Sequence, residues 1–359
     1  MIHRLCALVY MIFLSLGAFS QDKVLDDKEK MSFFDKVYEE VKKFSRVDTN
    51  YIEPQRYNFT LMLQNTNTIE RYTLSSKNGN SIGFSPEPNV RIGPYFGWRW
   101  LFLGYTLDVN HLHFGSDGHS TKKEFDVSLY SNQIGLDVFY RRTGTDYKVR
   151  GMWLSNGENV RAMENASFSG LEVGITGFNL YYIFNHRRFS YPAAYSQSTV
   201  QRRSAGSPLI GIGYTRHSLK LNWDKLNALV AERTVNTVEL DSSLYFNKVE
   251  YSDISISGGY AYNWVFAKNW LFDVSASLGV GYKYTKGDAQ DTSKFLGDFS
   301  FHRFNIDAVF RAGLVWNNTR WFAGANAIMH SYNYSESQFS TNNTFGSVNV
   351  YVGFNFGKK

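Results

Sequence analysis

From about residue 55 onward, apolar and polar positions alternate with a period of two. Val348, Val350, Val352, Phe354 and Phe356 are interleaved with Asn349, Tyr351, Gly353 and Asn355. Ile134, Leu136, Val138 and Tyr140 stand against Gln133, Gly135, Asp137 and Arg141, and the runs from Trp270 to Tyr282 and from Ile306 to Trp316 repeat the pattern. Successive side chains of a strand point to opposite faces, so each run predicts a strand with one apolar face and one polar or small face. Twelve segments read this way: 57–66, 81–98, 101–112, 123–131, 133–142, 168–184, 207–219, 250–265, 270–285, 301–316, 320–333 and 347–356. Residues 189–200 and 237–246 offer a further pair, which would make fourteen. Helical spacing occurs at Phe33, Phe34, Val37, Val41 and Phe44 within 22–46, and at Trp223, Leu226, Leu229 and Val230 within 222–233. The first predicts a short periplasmic helix; the second predicts a helix lying under the strands or entering the space they enclose.

The strands come in pairs joined by tight turns at Trp98-Arg99-Trp100, Ser131-Asn132, Asn185 to Arg188, Ala267 to Asn269 and Asn317 to Arg320. Longer polar stretches separate the pairs, at about 113–122, 143–167, 285–299 and 335–345. Short connections at one end and long ones at the other characterise outer-membrane barrels. Trp98, Trp100, Trp264, Trp270, Trp316 and Trp321 all flank the short turns, joined by Tyr130, Phe184, Phe189, Phe266 and Phe322. A membrane interface selects such a belt, because the ring is apolar and its edge polar. A soluble β-sandwich would instead scatter its large aromatics through a core. The predicted fold is therefore all-β: a transmembrane antiparallel barrel of twelve strands, or fourteen, with a short N-terminal periplasmic helix.

Composition agrees. Aromatics make up 17% of the chain and charged residues only 19%, yet mean hydropathy is negative, which suits a wall with one apolar and one polar face. Arg4, the apolar stretch 5–18 and the small residues Ala18 and Ser20 predict a leader over 1–20, followed by a helical segment over 21–53 and a barrel over 54–359. The single cysteine, Cys6, lies inside that leader, so disulfide and thiolate chemistry is not expected of the exported chain. The net charge of +6 comes without a basic run, so nucleic-acid binding has little support.

Asp108, Glu124, Asp126, Asp137 and Arg141 fall on the polar face of the earlier strands, and Asp273, Lys283, Arg303, Asp307 and Arg311 on that of the later ones. They are candidate lumen-lining charges. They either line a pore that selects solutes by charge or pair across the strands and hold the barrel shut. The second expectation is favoured, since barrels of this size are often filled. His111 and His113 share a strand face but lack a third metal ligand, so no metal or other cofactor is expected. No G-x-S-x-G elbow occurs, although His217 and His330 lie near serines. Gln201 to Ser207, with Arg202 and Arg203, reads as a solvated turn in preference to a lipid-phosphate site. Gly211, Gly213, Gly279 and Gly281 read as bends or as room for lumen packing.

The segments DTNYIEPQRYNFTLMLQNT (48–66), NVRIGPYFGWRWLFLGYTLDV (89–109), FNHRRFSYPAAYSQSTVQRRSAGS (184–207), GYTRHSL (213–219) and GGYAYNWVFAKNWLF (258–272) resemble a Bacteroidetes envelope family, domain of unknown function 4421. The resemblance runs from about residue 48 to the end. It implies an exported outer-membrane-type barrel and no established activity, so it carries over no functional residues. The expected role is a non-enzymatic structural barrel or narrow passive channel. The alternatives are a lipid-modifying hydrolase and a surface binding scaffold using the loops at 143–167 and 285–299. Expected partners are outer-membrane lipid and lipopolysaccharide, and barrel-assembly machinery during biogenesis; the oligomeric state is left open.

Overall fold

A computed structural model of the chain describes residues 46–358, apart from 88, 99–100, 105–106, 109–122, 144–145, 235–239, 245, 288–303 and 336–338. The expected leader and the Phe33–Phe44 helix lie outside the described residues. Residues 49–51 form a turn that leads into β1 (Ile52–Pro54). The other strands are β2 (Tyr57–Ser76), β3 (Ser81–Pro86), β4 (Asn89–Trp98), β5 (Leu101–Gly104), β6 (Leu107–Asp108), β7 (Lys123–Tyr130), β8 (Ile134–Arg142), β9 (Tyr147–Trp153), β10 (Ser167–Phe168), β11 (Leu171–Ile183), β12 (Thr199–Gln201), β13 (Ala205–Leu221), β14 (Lys248–Ala267), β15 (Trp270–Gly287), β16 (Phe304–Asn317), β17 (Trp321–Ser335) and β18 (Phe339–Lys358). Two helices, α1 (Tyr191–Tyr195) and α2 (Trp223–Arg233), interrupt them. No helix among the described residues is long and apolar enough to cross a membrane.

β1 and β12 make a small sheet of their own, and the remaining strands form one 16-stranded antiparallel sheet. Its main wall runs β5/β6, β4, β2, β18, β17, β16, β15, β14, β13, β11, β8, β7. Counting β5 and β6 as one, because both pair with β4, gives twelve positions, as the alternation predicts. β3, β9 and β10 extend the upper half of β2. Among the described residues no ladder joins the margins β7 and β5/β6. The sheet is nevertheless rolled. Arg141 of β8 reaches Glu70 of β2 at 3.1 Å, and Asn179 of β11 reaches Tyr332 of β17 at 3.2 Å.

Of the two further candidate strands, 189–200 becomes α1 and β12, which lie off the wall, and the described part of 237–246 holds a single 3-10 turn, Ser242–Leu244. The expected strand 81–98 divides into β3 and β4. The expected loop 335–345 is largely strand, with Tyr334 opposite Thr341 and Ser335 opposite Ser340.

Alternation holds along the long strands, but on several of them, β13 and β14 included, its sense reverses partway. On β13, Ile210 and Ile212 are exposed while Gly211 and Gly213 face inward; beyond Tyr214, Arg216 and Lys220 are exposed while Leu219 and Leu221 are buried. On β14, Ile254, Ile256, Tyr260 and Trp264 face outward, whereas Val249 and Tyr251 face inward. The register aligns these reversals. Phe178, Tyr214, Ile254 and Tyr282 form an apolar outer row, and the next outer row is polar at Thr176, Arg216 and Ser252, with tyrosines Tyr140 and Tyr284 at its ends. A wall facing hydrocarbon presents apolar groups outward, and a wall facing water buries them, so the turn-side part is built for lipid and the loop-side part for water. The segment from Ile254 to Trp264, at about 3.3 Å per residue and a tilt of roughly 40°, covers about 25 Å, the height of an outer-membrane apolar band. Trp264, Trp270, Trp321 and Phe266 are exposed at the turn end of that band.

The loop-side part has its own apolar core, in which Tyr72, Leu74, Phe84, Val149, Leu171 and Leu219 pack with Trp223, Leu226 and Val230 of α2. The helix thus caps the loop end and does not lie under the barrel. Asn222 begins it, its side chain accepting a hydrogen bond from the Lys225 amide at 3.0 Å. Replacing a capping asparagine with alanine costs about 1 kcal/mol. Asn222→Ala is expected to speed proteolysis across 222–247 while leaving the wall intact, as followed by limited digestion of reconstituted protein.

Candidate functional site in the lumen

The charges that the alternation places inward occupy a layer across the barrel. Arg311 of β16 donates through Nη2 to Asp137 Oδ2 of β8, which also accepts at Oδ1 from Ser128 at 2.7 Å. The guanidinium lies 4.8 Å from the Tyr181 ring centroid. Arg141 donates to Glu70 at 3.1 Å and to Asp126 at 2.5 Å, and sits 4.8 Å from the Phe345 centroid. Asp273 accepts from the Tyr195 hydroxyl at 2.5 Å, and Asp253 from Asn305 at 3.4 Å. Lys283, opposite Asp253 in the ladder, lies 4.8 Å from the Tyr334 centroid. Asp307 sits opposite Gly279 and borders a space of about 30 Å³ shared with Asn179, Ser277 and Arg311. A site of that size holds one or two waters.

Asp137, Arg141, Asp273, Lys283, Asp307 and Arg311 are all buried; Asp126, on the sheet margin, is exposed. Asp108 and Glu124 lie on strands, but their side chains are outside the described residues, as is Arg303 altogether. Burying an ion costs several kcal/mol unless a partner offsets it, and ion pairs supply such partners for Asp137, Arg141 and Arg311. Rings fill much of what remains. A Cβ on Gly135 would lie 2.1 Å from Tyr181, and one on Gly177 2.8 Å from Phe139, so two inward glycines are roofed by neighbouring aromatics. A Cβ on Gly281 would meet the Asp253 carboxylate at 2.1 Å, so this glycine serves lumen packing.

The turn end is closed by residues 184–204, which fold back inside. The sequence pattern predicts a strand at 189–200 and a solvated turn at 201–207 here. Gln201 organises it: its side-chain amide donates to the Arg188 carbonyl at 2.6 Å and to the Arg203 carbonyl at 2.9 Å, while its Oε1 accepts from Asn263 Nδ2 at 2.9 Å. Asn263 of β14, fully buried, also donates to the Ser190 carbonyl at 2.9 Å. Gln197 donates to the Tyr351 hydroxyl of β18 at 2.6 Å, so with the Tyr195–Asp273 bond the plug is tied to three wall strands. Arg202, expected in solvent, is ion-paired with Glu53 and donates to Asn269 at 2.8 Å. The only advance signal was the density of Gln, Ser and Asn in a stretch otherwise able to alternate.

At the loop end, His217 stacks on Tyr251 at 4.5 Å, Tyr251 stacks on Tyr334 at 4.1 Å, and His330 stacks on Phe345 at 5.2 Å. Asn343 Nδ2 lies 3.4 Å from His217 Nδ1, and neither His217 Nε2 nor His330 Nδ1 has a hydrogen-bond partner. Both imidazoles are packed inside the aromatic core, away from the membrane face. His111 and His113 lie outside the described residues, among which no cluster of metal-binding side chains occurs.

Over residues 46–356 the chain matches the family model described as Domain of unknown function (DUF4421). No curated protein matches it. Among solved structures it is similar to the outer membrane protease OmpT from Escherichia coli, at 7% identity over 86% of this chain and 100% of that one, with a TM-score of 0.36. It is also similar to the β domain of the Bordetella autotransporter BrkA, at 14% identity over 82% and 99% of the two chains, with a TM-score of 0.32. The toluene transporter TodX of P. putida aligns at 8% identity over 84% and 91%, with a TM-score of 0.24.

Proposed function

The chain belongs to the family described as Domain of unknown function (DUF4421), and from that premise we propose that it is a sealed, non-enzymatic barrel of a bacterial outer membrane, exported by a leader at 1–20. One observation carries the reading: among the described residues, the chain itself occupies the space inside the wall at the turn end, in the middle and at the loop end. The plug closes the turn end, paired charges and roofed glycines fill the middle, and the aromatic core with α2 closes the loop end. A passive channel needs a continuous polar path, and the apolar loop-end core interrupts one. A hydrolase needs an accessible base beside a nucleophile, and His217 and His330 sit among rings. The exposed apolar band supports the membrane, and the polar loop-side head is the part available to the surroundings.

Purified protein reconstituted into planar bilayers is expected to give no current steps above leak, and liposomes containing it should retain small encapsulated solutes. Discrete conductance steps would overturn the sealed reading. Recovery of the chain in aqueous solution without detergent would overturn the membrane reading as well.

A further inference from the structure

Above the apolar belt, one sector of the outer wall is basic. Arg142 of β8, Arg216 and Lys220 of β13 and Lys248 of β14 surround a groove of about 350 Å³ floored by Gly174 and Ser218. Glu250 pairs with Arg216 at 3.1 Å and with Lys248 at 2.6 Å, and Glu172 pairs with Lys220 at 3.3 Å. The lining also includes Arg141, whose guanidinium is paired with Glu70 and Asp126; the other four cations stand against two carboxylates, a surplus of two positive charges. Exposed pairs of this kind hold weakly, so their donors remain available to a stronger anion. Lys220 and Lys248 face each other directly in the ladder, an arrangement that disfavours pairing unless negative charge lies close by. At the loop end of the opposite wall the outer face carries uncharged groups, Ser331, Asn333, Asn342 and Thr344, which bond to one another. That row continues from Thr344 to a single exposed cation, Arg71, where the basic sector carries a cluster of four.

The register fixes what lies beneath. One row below Arg216 the outer face turns apolar through Val138, Phe178, Tyr214 and Ile254. A ligand spanning both rows must be anionic above and hydrocarbon below. We propose that this groove binds the phosphate groups of an outer-leaflet lipid, with Arg142, Arg216, Lys220 and Lys248 holding the headgroup and the apolar row receiving the acyl chains. The proposal rests on the membrane reading given above. Small residues at Gly174 and Ser218 let the headgroup sit between the basic side chains, and arginine supplies paired donors that match phosphate oxygens.

The test uses the full chain in nonionic detergent, titrated by native mass spectrometry with a bis-phosphorylated glycolipid and with the same lipid after phosphate removal. The phosphorylated form is expected to bind at least tenfold more tightly. Arg216→Gln/Lys220→Gln/Lys248→Gln should abolish that preference, while Lys268→Gln/Arg320→Gln, at the turn end, should keep it. Should the triple variant not fold, Lys220→Gln alone should give a partial loss. Excess inorganic phosphate should fail to displace the lipid. Equal binding of the two lipids, a preference that survives the triple substitution, or displacement by inorganic phosphate would each overturn the proposal. Protein that stays in micelles yet shows no phosphate preference sinks this site alone; protein that needs no detergent sinks the membrane reading beneath it.

Discussion

Asp137→Ala is expected to destabilise the barrel by about 3–5 kcal/mol, the cost of leaving a buried charge without its partner. Arg311 is 2% exposed, and its Nη2 donates to Asp137 from the far side of the lumen, 174 positions along the chain. The Tyr181 face, 4.8 Å away, would remain, but a ring quadrupole does not replace a carboxylate. Replacing both partners, as in Asp137→Leu/Arg311→Met, should recover most of the loss, because buried ion pairs exchanged for apolar groups of similar size are often neutral or better. Urea unfolding in lipid vesicles, followed by tryptophan fluorescence, gives both values. The single substitution also reports on function. In a water-filled lumen the orphaned guanidinium would be hydrated and the cost would fall below about 1 kcal/mol, as for an exposed pair. A small effect would therefore argue for a wet passage and against a sealed barrel.

The wall was legible because strand periodicity survives in both environments: β8, β15 and β16 lie within three residues of their expected bounds wherever those fall on described residues. The upper parts of β2 and β18 were not, although β17, beside β18, was expected almost to its end. There the outer residues are Asn333, Asn342 and Thr344, whose types signal loops, and the inner ones are Tyr332, Tyr334 and Phe345, so the alternation runs in the opposite sense. Inward charges could be assigned to a face from period alone, but which of them meet depends on the closure of the sheet. The pairs Arg141–Glu70 and Arg311–Asp137 cross it over long separations, and no local pattern encodes them. The plug was illegible for the same reason. Its short helix, Tyr191–Tyr195, is held by Asn263, Asp273 and Tyr351, none of them a sequence neighbour. Helix α2 was predicted from spacing and found, yet its end of the barrel followed only from the strands it joins.

Arginine placed at two inverted positions on β13 is expected to fail in two different ways. Ile212 faces outward in the apolar band, 52% exposed, and Leu219 faces inward in the loop-end core, 4% exposed. Ile212→Arg puts a charge against hydrocarbon, at a cost of about 2–4 kcal/mol near the midplane and about 0–1 near the interface. It should lower stability in vesicles without exposing the loop-end head, and Tyr214→Arg, one outward position nearer the polar row, should cost less. Leu219→Arg buries an unpaired charge in an apolar core, so the head should open while the band still holds the membrane. Protease added outside sealed vesicles would then cut within 222–247 in the Leu219 variant and not in the Ile212 variant. Arg216→Leu, at the reversal itself, should be nearly silent in both assays. A soluble barrel would tolerate arginine at Ile212, because an exposed side chain in water has nothing to lose by carrying charge. The ordering of Ile212, Tyr214 and Arg216 therefore measures where hydrocarbon ends, and a flat response across the three would mean that no hydrocarbon meets this wall.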